Sequence, residues 1–187
     1  RNNVAPEIAN DGAFGEELSL DLELKVLADV GLIGFPNAGK STFISKISNS
    51  KPKISDYPFT TLTPNLGIVK YGDYKSFVVA DIPGLIKGAS EGKGLGNQFL
   101  RHIERCKILA YIIDSNSDDI KKDYQILKNE LIQHNPSLDK LPKILLLSKI
   151  DSADDLELSK KEMPKNIKTV KISSITGKNL EKAIESI

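Results

Sequence analysis

The stretch Gly34-Phe35-Pro36-Asn37-Ala38-Gly39-Lys40-Ser41 leaves this chain few folds to choose from. It fits the phosphate-loop pattern GxxxxGK(S/T), and that pattern acts only between a strand and a helix. Both flanks are present. Val30-Gly31-Leu32-Ile33 reads as a buried strand, and Ser41-Thr42-Phe43-Ile44-Ser45-Lys46-Ile47 can start a helix. In that setting successive backbone N–H groups and a helix N-terminus face a polyphosphate. Lys40 reaches the outer phosphates, and Ser41 offers a hydroxyl to Mg2+. A lone match to this pattern is a common accident, so the rest of the chain decides.

Apolar runs at residues 108–113 and 143–147, and a further stretch at 167–172, read as strands. Between them, Ile120, Tyr124, Leu127 and Leu131 recur at helical spacing, as do Leu180, Ala183, Ile184 and Ile187 near the end. A short helix fits 156–161. Residues 66–71 and 76–82 flank Gly72-Asp73 as a hairpin, which puts one antiparallel strand into a mostly parallel, six-stranded sheet. Strands alternating with helices predict an α/β domain with helices on both faces. Ligands then sit at the carboxyl ends of the strands. Upstream, residues 1–16 read as loop or linker. Leu18, Leu20, Leu22 and Leu24 alternate with polar residues, which predicts a strand with one buried face.

Four more loops fall after predicted strands or within a long connection. Thr60-Thr61 lies in a proline-rich loop, where a threonine can close over a γ-phosphate and ligate Mg2+. Asp81-Ile82-Pro83-Gly84 ends an apolar strand. An aspartate there holds Mg2+ through its water shell, and Gly84 lets a backbone N–H approach the terminal phosphate. Ser148-Lys149-Ile150-Asp151 is close to Asn-Lys-x-Asp, in which the aspartate accepts hydrogen bonds from guanine N1–H and the 2-amino group. Readout of that kind discriminates by roughly 10^4 to 10^5. Ser148 stands where the asparagine would be, and its shorter side chain predicts lower affinity with selectivity kept by Asp151. Ser173-Ser174-Ile175 is placed to meet the guanine carbonyl and also reads as a helix N-cap.

Composition excludes several classes. With 187 residues, 40% hydrophobic and 27% charged, the chain can bury one globular core. A formal charge of +1 gives no global field for nucleic acid. No apolar run approaches the ~18 residues of a membrane span. The single Cys106 precludes an internal disulfide and fits a reducing, cytoplasmic compartment.

Together GFPNAGKS, YPFTTLTPNLG, DIPGL, GASEGKGLGNQFLRHIERC, SKID and SSITG resemble the Obg family of bacterial GTPases across essentially the whole chain. The resemblance implies a Ras-like, P-loop NTPase G domain over residues 27–187. Residues 1–26 would be the end of an N-terminal glycine-rich domain plus linker, and the chain a piece of a longer protein. GTP would be contacted by Gly34, Phe35, Pro36, Asn37, Ala38, Gly39, Lys40 and Ser41, and by Phe59, Thr60, Thr61, Leu62 and Thr63. The remaining contacts would come from Asp81, Ile82, Pro83 and Gly84, from Ser148, Lys149, Ile150 and Asp151, and from Ser173, Ser174 and Ile175. Mg2+ would be ligated by Ser41 and Thr61. The implied work is slow GTP hydrolysis in assembly of the large ribosomal subunit and in stress and growth control, by a cytoplasmic monomer. Its partners would be GTP, GDP, ppGpp and ribosomal RNA and proteins.

Catalysis would rest on Lys40, Thr61, Gly84 and Asn37. Where many GTPases carry a water-positioning glutamine after Asp-x-x-Gly, this chain has Leu85. Intrinsic hydrolysis should then be no faster than the order of 10^-4 to 10^-3 per second of an unassisted switch protein. The only arginines are Arg1, Arg101 and Arg105, none of them in the phosphate loop or first switch. Asn37 is the substitute expected here, ligating K+ between the α- and γ-phosphates. An alternative role is a GDP or ppGpp sensor with incidental hydrolysis. An ATP-using enzyme is disfavoured by Asp151. His102 and His134 lack metal-ligand spacing, and Cys106 should be core.

Overall fold

In the computed structural model the described residues are 12, 14–20, 28–48, 53–54, 65–81 and 106–187. In chain order the elements are β1 (Val30–Ile33), α1 (Lys40–Ile47), β2 (Lys53–Ile54), β3 (Asn65–Tyr71), β4 (Lys75–Asp81), β5 (Ile108–Asp114) and α2 (Ile120–His134). A 3-10 turn (Pro136–Lys140) then leads to β6 (Lys143–Ser148), α3 (Asp155–Lys160), β7 (Lys168–Lys171) and α4 (Leu180–Ser186). The sheet order is β2-β3-β4-β1-β5-β6-β7. Among the described strands only β3 runs against the rest, pairing antiparallel with β2 and β4. The six expected strands are therefore present, extended at one edge by the two-residue β2. That addition was not legible because two residues carry no period.

The inner strands read as continuous apolar runs because both sheet faces are covered. On β5, Leu109, Tyr111 and Ile113 point to one face, with Ile33, Leu145 and Leu147 beside them and Tyr124, Leu127 and Leu131 of α2 above. Ala110 and Ile112 point to the other face, with Leu32, Val79 and Leu146, against Phe43 and Ile44 of α1 and Ala183 of α4. Period-two alternation along β5 thus serves two separate cores. Asp119 caps α2, its carboxylate accepting from Lys122 N–H at 2.8 Å. The β3–β4 hairpin turns through residues 72–74, with Gly72 at φ 58° and Tyr74 at φ 63°. Cys106 is buried against Ala28 and its neighbours, in keeping with a core role.

One expectation is corrected. Residues 14–20 form no strand, and Leu18 and Leu20 are exposed rather than turned to a buried face. Alternation becomes a strand only where an edge offers ladder hydrogen bonds, and no described strand pairs with this segment. Leu22 and Leu24 lie outside the described residues. So do residues 82–105, His102 among them. Among the described residues no helix is long and apolar enough to cross a membrane.

Candidate functional site

Parallel strands β1, β4, β5, β6 and β7 end on one rim, and their registers place the loops side by side. Leu32 pairs with Asp81, Ile33 with Tyr111 and Asp114 with Ser148. The phosphate loop leaves β1 at Gly34. A methyl group there would lie 2.3 Å from the Ile112 carbonyl oxygen, so only glycine lets the loop cross β5 this closely. Asn37 takes φ 61° and Gly39 φ 97°, two left-handed residues that fold the loop around its own backbone N–H groups. Asparagine tolerates that region better than other non-glycine residues, and α1 then starts at Lys40.

Lys40, Ser41 and Asp81 converge at the loop's base. Lys40 Nζ donates to the carbonyls of Gly34 at 2.8 Å and Phe35 at 3.1 Å, and stands 4.0 Å from Asp81 Oδ1. Ser41 Oγ donates to Asp81 Oδ2 at 3.0 Å. Burial raises the Asp81 carboxyl above its ordinary pKa, against the opposing pull of the Lys40 ammonium and of hydrogen bonds from Ser41 and Asn65. Burial likewise lowers the Lys40 amine, with Asp81 opposing. Both groups are thus held short of full charge stability by desolvation. Asp81 Oδ1 is buried without a hydrogen bond among the described residues. A hydroxyl and a carboxylate side by side, with one oxygen unsatisfied, suit a small hard cation such as Mg2+. Residues 59–63 and 82–84 (Phe59, Thr60, Thr61, Leu62, Thr63, Ile82, Pro83 and Gly84) lie outside the described residues, as do Leu85, Arg101 and Arg105.

The next turn is bonded directly to the phosphate loop. Ser148 is 2% exposed, and its hydroxyl lies 2.6 Å from the Ala38 carbonyl oxygen and 3.2 Å from that of Ile113. Lys149 takes φ 58° and places its ammonium 2.7 Å from Asp114 Oδ2. The other Asp114 oxygen accepts from Asn116 N–H and Nδ2, both at 2.9 Å. Asn116 Nδ2 also reaches Ser152 Oγ at 3.0 Å, and Ser152 in turn donates to Lys149 O at 3.0 Å. Burial alone would raise the Asp114 pKa, but Lys149 and Asn116 together hold it below the usual carboxylate value. Asp151 follows, exposed, in the turn. A cavity of about 190 Å3 opens between Pro36, Asn37, Asp114 and Lys149.

The last loop differs in detail from the sequence reading. Ser173 Oγ accepts from Thr176 N–H at 3.1 Å, so it caps a turn over 173–177, whereas Asn179 occupies the cap of α4. Ser174 Oγ is buried with no hydrogen-bond partner among the described residues, and Ile175 is exposed. A buried hydroxyl without a partner at the rim of a site calls for a polar atom from outside these residues to complete it. Asp114 and Asn116 were missed by sequence reasoning. The available signal was an acidic residue closing an apolar strand at the same rim as Asp81. A larger open hollow of about 680 Å3 is lined by Asp118, Lys121, Lys160 and Glu162, none of them from these loops.

Residues 29–149 match the family model described as 50S ribosome-binding GTPase. The chain belongs to that family. Among curated relatives, GTPase Obg of Cytophaga hutchinsonii is 58% identical over 181 residues, covering 95% of this chain and 53% of the relative. GTPase Obg of Chlorobaculum tepidum is 55% identical over 177 residues, with 95% and 52% covered. The chain therefore spans about half the length of the curated relatives it matches, and the resemblance to Obg is borne out. Among solved structures, Aquifex aeolicus Era bound to GDP.AlF4- superposes with TM-score 0.63 at 23% identity, covering 87% of this chain and 56% of that one. The G domain of the T. maritima FeoB iron transporter gives 0.60 at 25%, with 83% and 93% covered. For this 50S ribosome-binding GTPase family member the fold is thus the G-domain fold expected from its sequence.

Proposed function

We propose that this chain binds guanine nucleotide with Mg2+ and hydrolyses GTP slowly, as a switch that works on the large ribosomal subunit. The observation that carries the reading is the 2.6 Å hydrogen bond from Ser148 to Ala38, which joins a base-reading turn to a phosphate loop. A bare phosphate loop serves any nucleotide. Joined to Ser148-Lys149-Ile150-Asp151, it serves one whose base offers two donors to a carboxylate. Adenine offers none at N1, so Asp151 would face it unpaired.

In this reading the N–H groups of residues 34–41 cradle the phosphates and Lys40 leaves its two carbonyl partners for the outer phosphates. Ser41 and Thr61 would hold Mg2+, with Asp81 behind it, and the ion would supply neutralising charge at the phosphates. Thr60, Thr61 and Gly84 report the terminal phosphate, Asp151 reads the base, and Ser174 and Ile175 meet its carbonyl. With Leu85 in place of a water-orienting glutamine, positioning falls to Thr61 and Gly84, and charge compensation to a K+ on Asn37. Residues 1–26 are assigned to the end of a preceding glycine-rich domain, and the compartment to the cytoplasm. Leu85 also favours a second reading, a sensor of GDP or ppGpp occupancy in which hydrolysis is incidental.

Displacement of a fluorescent GDP analogue tests the binding half: GTP and GDP should compete at similar concentrations and ATP should not. ATP competing equally would overturn the assignment. Single-turnover GTP hydrolysis with and without large ribosomal subunits tests the switch. Acceleration by the particle supports it, and no acceleration supports the sensor.

A further inference from the structure

The Ser148 hydroxyl has one proton, and two backbone carbonyls compete for it. Ala38 O at 2.6 Å holds it, with Ile113 O at 3.2 Å as the longer contact. The side chain is buried, so the proton has no water to move to. The Ser148 carbonyl is likewise engaged, accepting from Ser115 N–H at 2.9 Å. What remains at Ser148 Oγ is lone pairs.

Resting on the guanine reading above, we propose that Ser148 is a positioning residue which leaves N7 of the base unread. The polar atoms round guanine run 2-amino, N1–H, O6, N7. Asp151 takes the first two and the 173–175 segment the third. The fourth falls to the start of the Ser148–Asp151 turn, on the side of the phosphate loop. An amide there could hold the loop with one group and still present an N–H to N7. A serine cannot: its donor is spent on Ala38, and its lone pairs face an acceptor. Specificity in this chain is then set by the Watson–Crick edge alone, and residue 148 contributes by fixing the loop.

The test measures Kd of the chain with Mg2+ for GDP, 7-deaza-GDP and inosine diphosphate. Replacing N7 by C–H should change affinity by no more than about twofold, where a base hydrogen bond of ordinary strength is worth roughly fivefold. Loss of the 2-amino group should cost roughly fivefold or more by the same measure. The variant Ser148→Ala should weaken GDP and 7-deaza-GDP by the same factor, and Ser148→Thr, which keeps the hydroxyl, should restore both. A wild-type preference of about fivefold or more for GDP over 7-deaza-GDP would overturn the proposal. So would a change of that ratio in Ser148→Ala. Equal binding of GDP and inosine diphosphate would instead strike the guanine reading, so the two failures are separable.

Discussion

Ser41 Oγ lies 3.0 Å from Asp81 Oδ2, and that hydrogen bond ties the first turn of α1 to the end of β4. The pair comes from positions 40 residues apart in sequence, brought together because β1 and β4 are parallel neighbours in register. Among the described residues its partner atom Oδ1 has no hydrogen bond, with Lys40 Nζ 4.0 Å away. A buried carboxylate with one satisfied oxygen is poor design for stability and good design for a cation site.

Replacing Asp81 by Asn should therefore stabilise the nucleotide-free protein. A carboxyl whose folded pKa is raised adds stability that is full below its unfolded value of 3.8 and is lost as pH rises through the raised folded value. At pH 7 the ionised form is thus a net cost, which the isosteric amide removes. The expected gain is on the order of 1 kcal/mol, roughly 2–4 °C in Tm for a chain of this length. The gain should vanish below about pH 4, where the wild-type carboxyl is protonated in both states. Mg2+-dependent strengthening of GTP binding should be lost in the same variant. Differential scanning calorimetry across pH and titration with and without Mg2+ check both halves, and a lower Tm for the variant at pH 7 would contradict the account.

Gly34→Ala should damage both binding and fold. The added methyl would sit 2.3 Å from a backbone carbonyl of β5, which cannot swing away as a side-chain tip could. The loop must move instead, at ~1–3 kcal/mol by the usual scale of overpacking. Because the N–H groups of the loop move with it, GDP affinity should fall by about tenfold or more. Urea unfolding and GDP titration measure the two effects. A variant with unchanged Kd would mean that the loop has slack here.

Much of this was legible in the sequence because strong periodicity and glycine-rich loops are local signals. The strands at 108–113 and 143–147 are apolar runs long enough to be buried on both faces, and the structure bounds them within a residue at each end. Asp114 was not legible. Its role comes from register with Ser148 and from a lysine in the left-handed region, neither of which a one-dimensional pattern displays. Ser148 shows the same limit from the other side. Its identity announced a departure from Asn-Lys-x-Asp, but only its burial and its reach to Ala38 give it a purpose. Leu18 and Leu20 have the alternation of a strand and no edge to join among the described residues.

Asp114→Ala should loosen the base turn without unfolding the chain. Lys149 would lose its 2.7 Å partner, and Asn116 the carboxylate that orients its side chain toward Ser152. Asp114 is partly exposed, so the effect on stability should be small, within roughly 1 kcal/mol. Affinity for GDP should drop by about five- to tenfold, the scale of one or two hydrogen bonds left unformed. Calorimetric titration of GDP against the thermal midpoint separates the two. Equal loss in both would make Asp114 a purely structural residue.

Cys106 should resist alkylation. It is buried, and burial together with the nearby Asp29 carboxylate pushes its thiol up to about 11. The reactive thiolate is then scarce at pH 8, and the sulfur is sheltered as well. Iodoacetamide labelling followed by mass spectrometry should show modification slower than that of the urea-unfolded chain by about a hundredfold or more. Rapid labelling in the folded state would move Cys106 out of the core.

The last prediction concerns Asn37, whose two roles can be separated by a single substitution. At φ 61° the residue holds a left-handed turn, and it lines the cavity beside the phosphate loop. Glycine adopts that φ at no steric cost, so Asn37→Gly removes the amide and keeps the backbone path. If the amide ligates K+, the wild type should hydrolyse GTP faster in KCl than in NaCl, by about tenfold or more on the scale of one electrostatic contact to a transition state. Asn37→Gly should then bind GDP nearly as the wild type does and lose the difference between the two salts. If the amide only braces the loop, the wild type will hydrolyse equally in both salts. Asn37→Ala, with its methyl group forced into the left-handed region, should weaken binding in either case, which marks the backbone contribution and leaves the ion dependence of the wild type and Asn37→Gly as the deciding comparison.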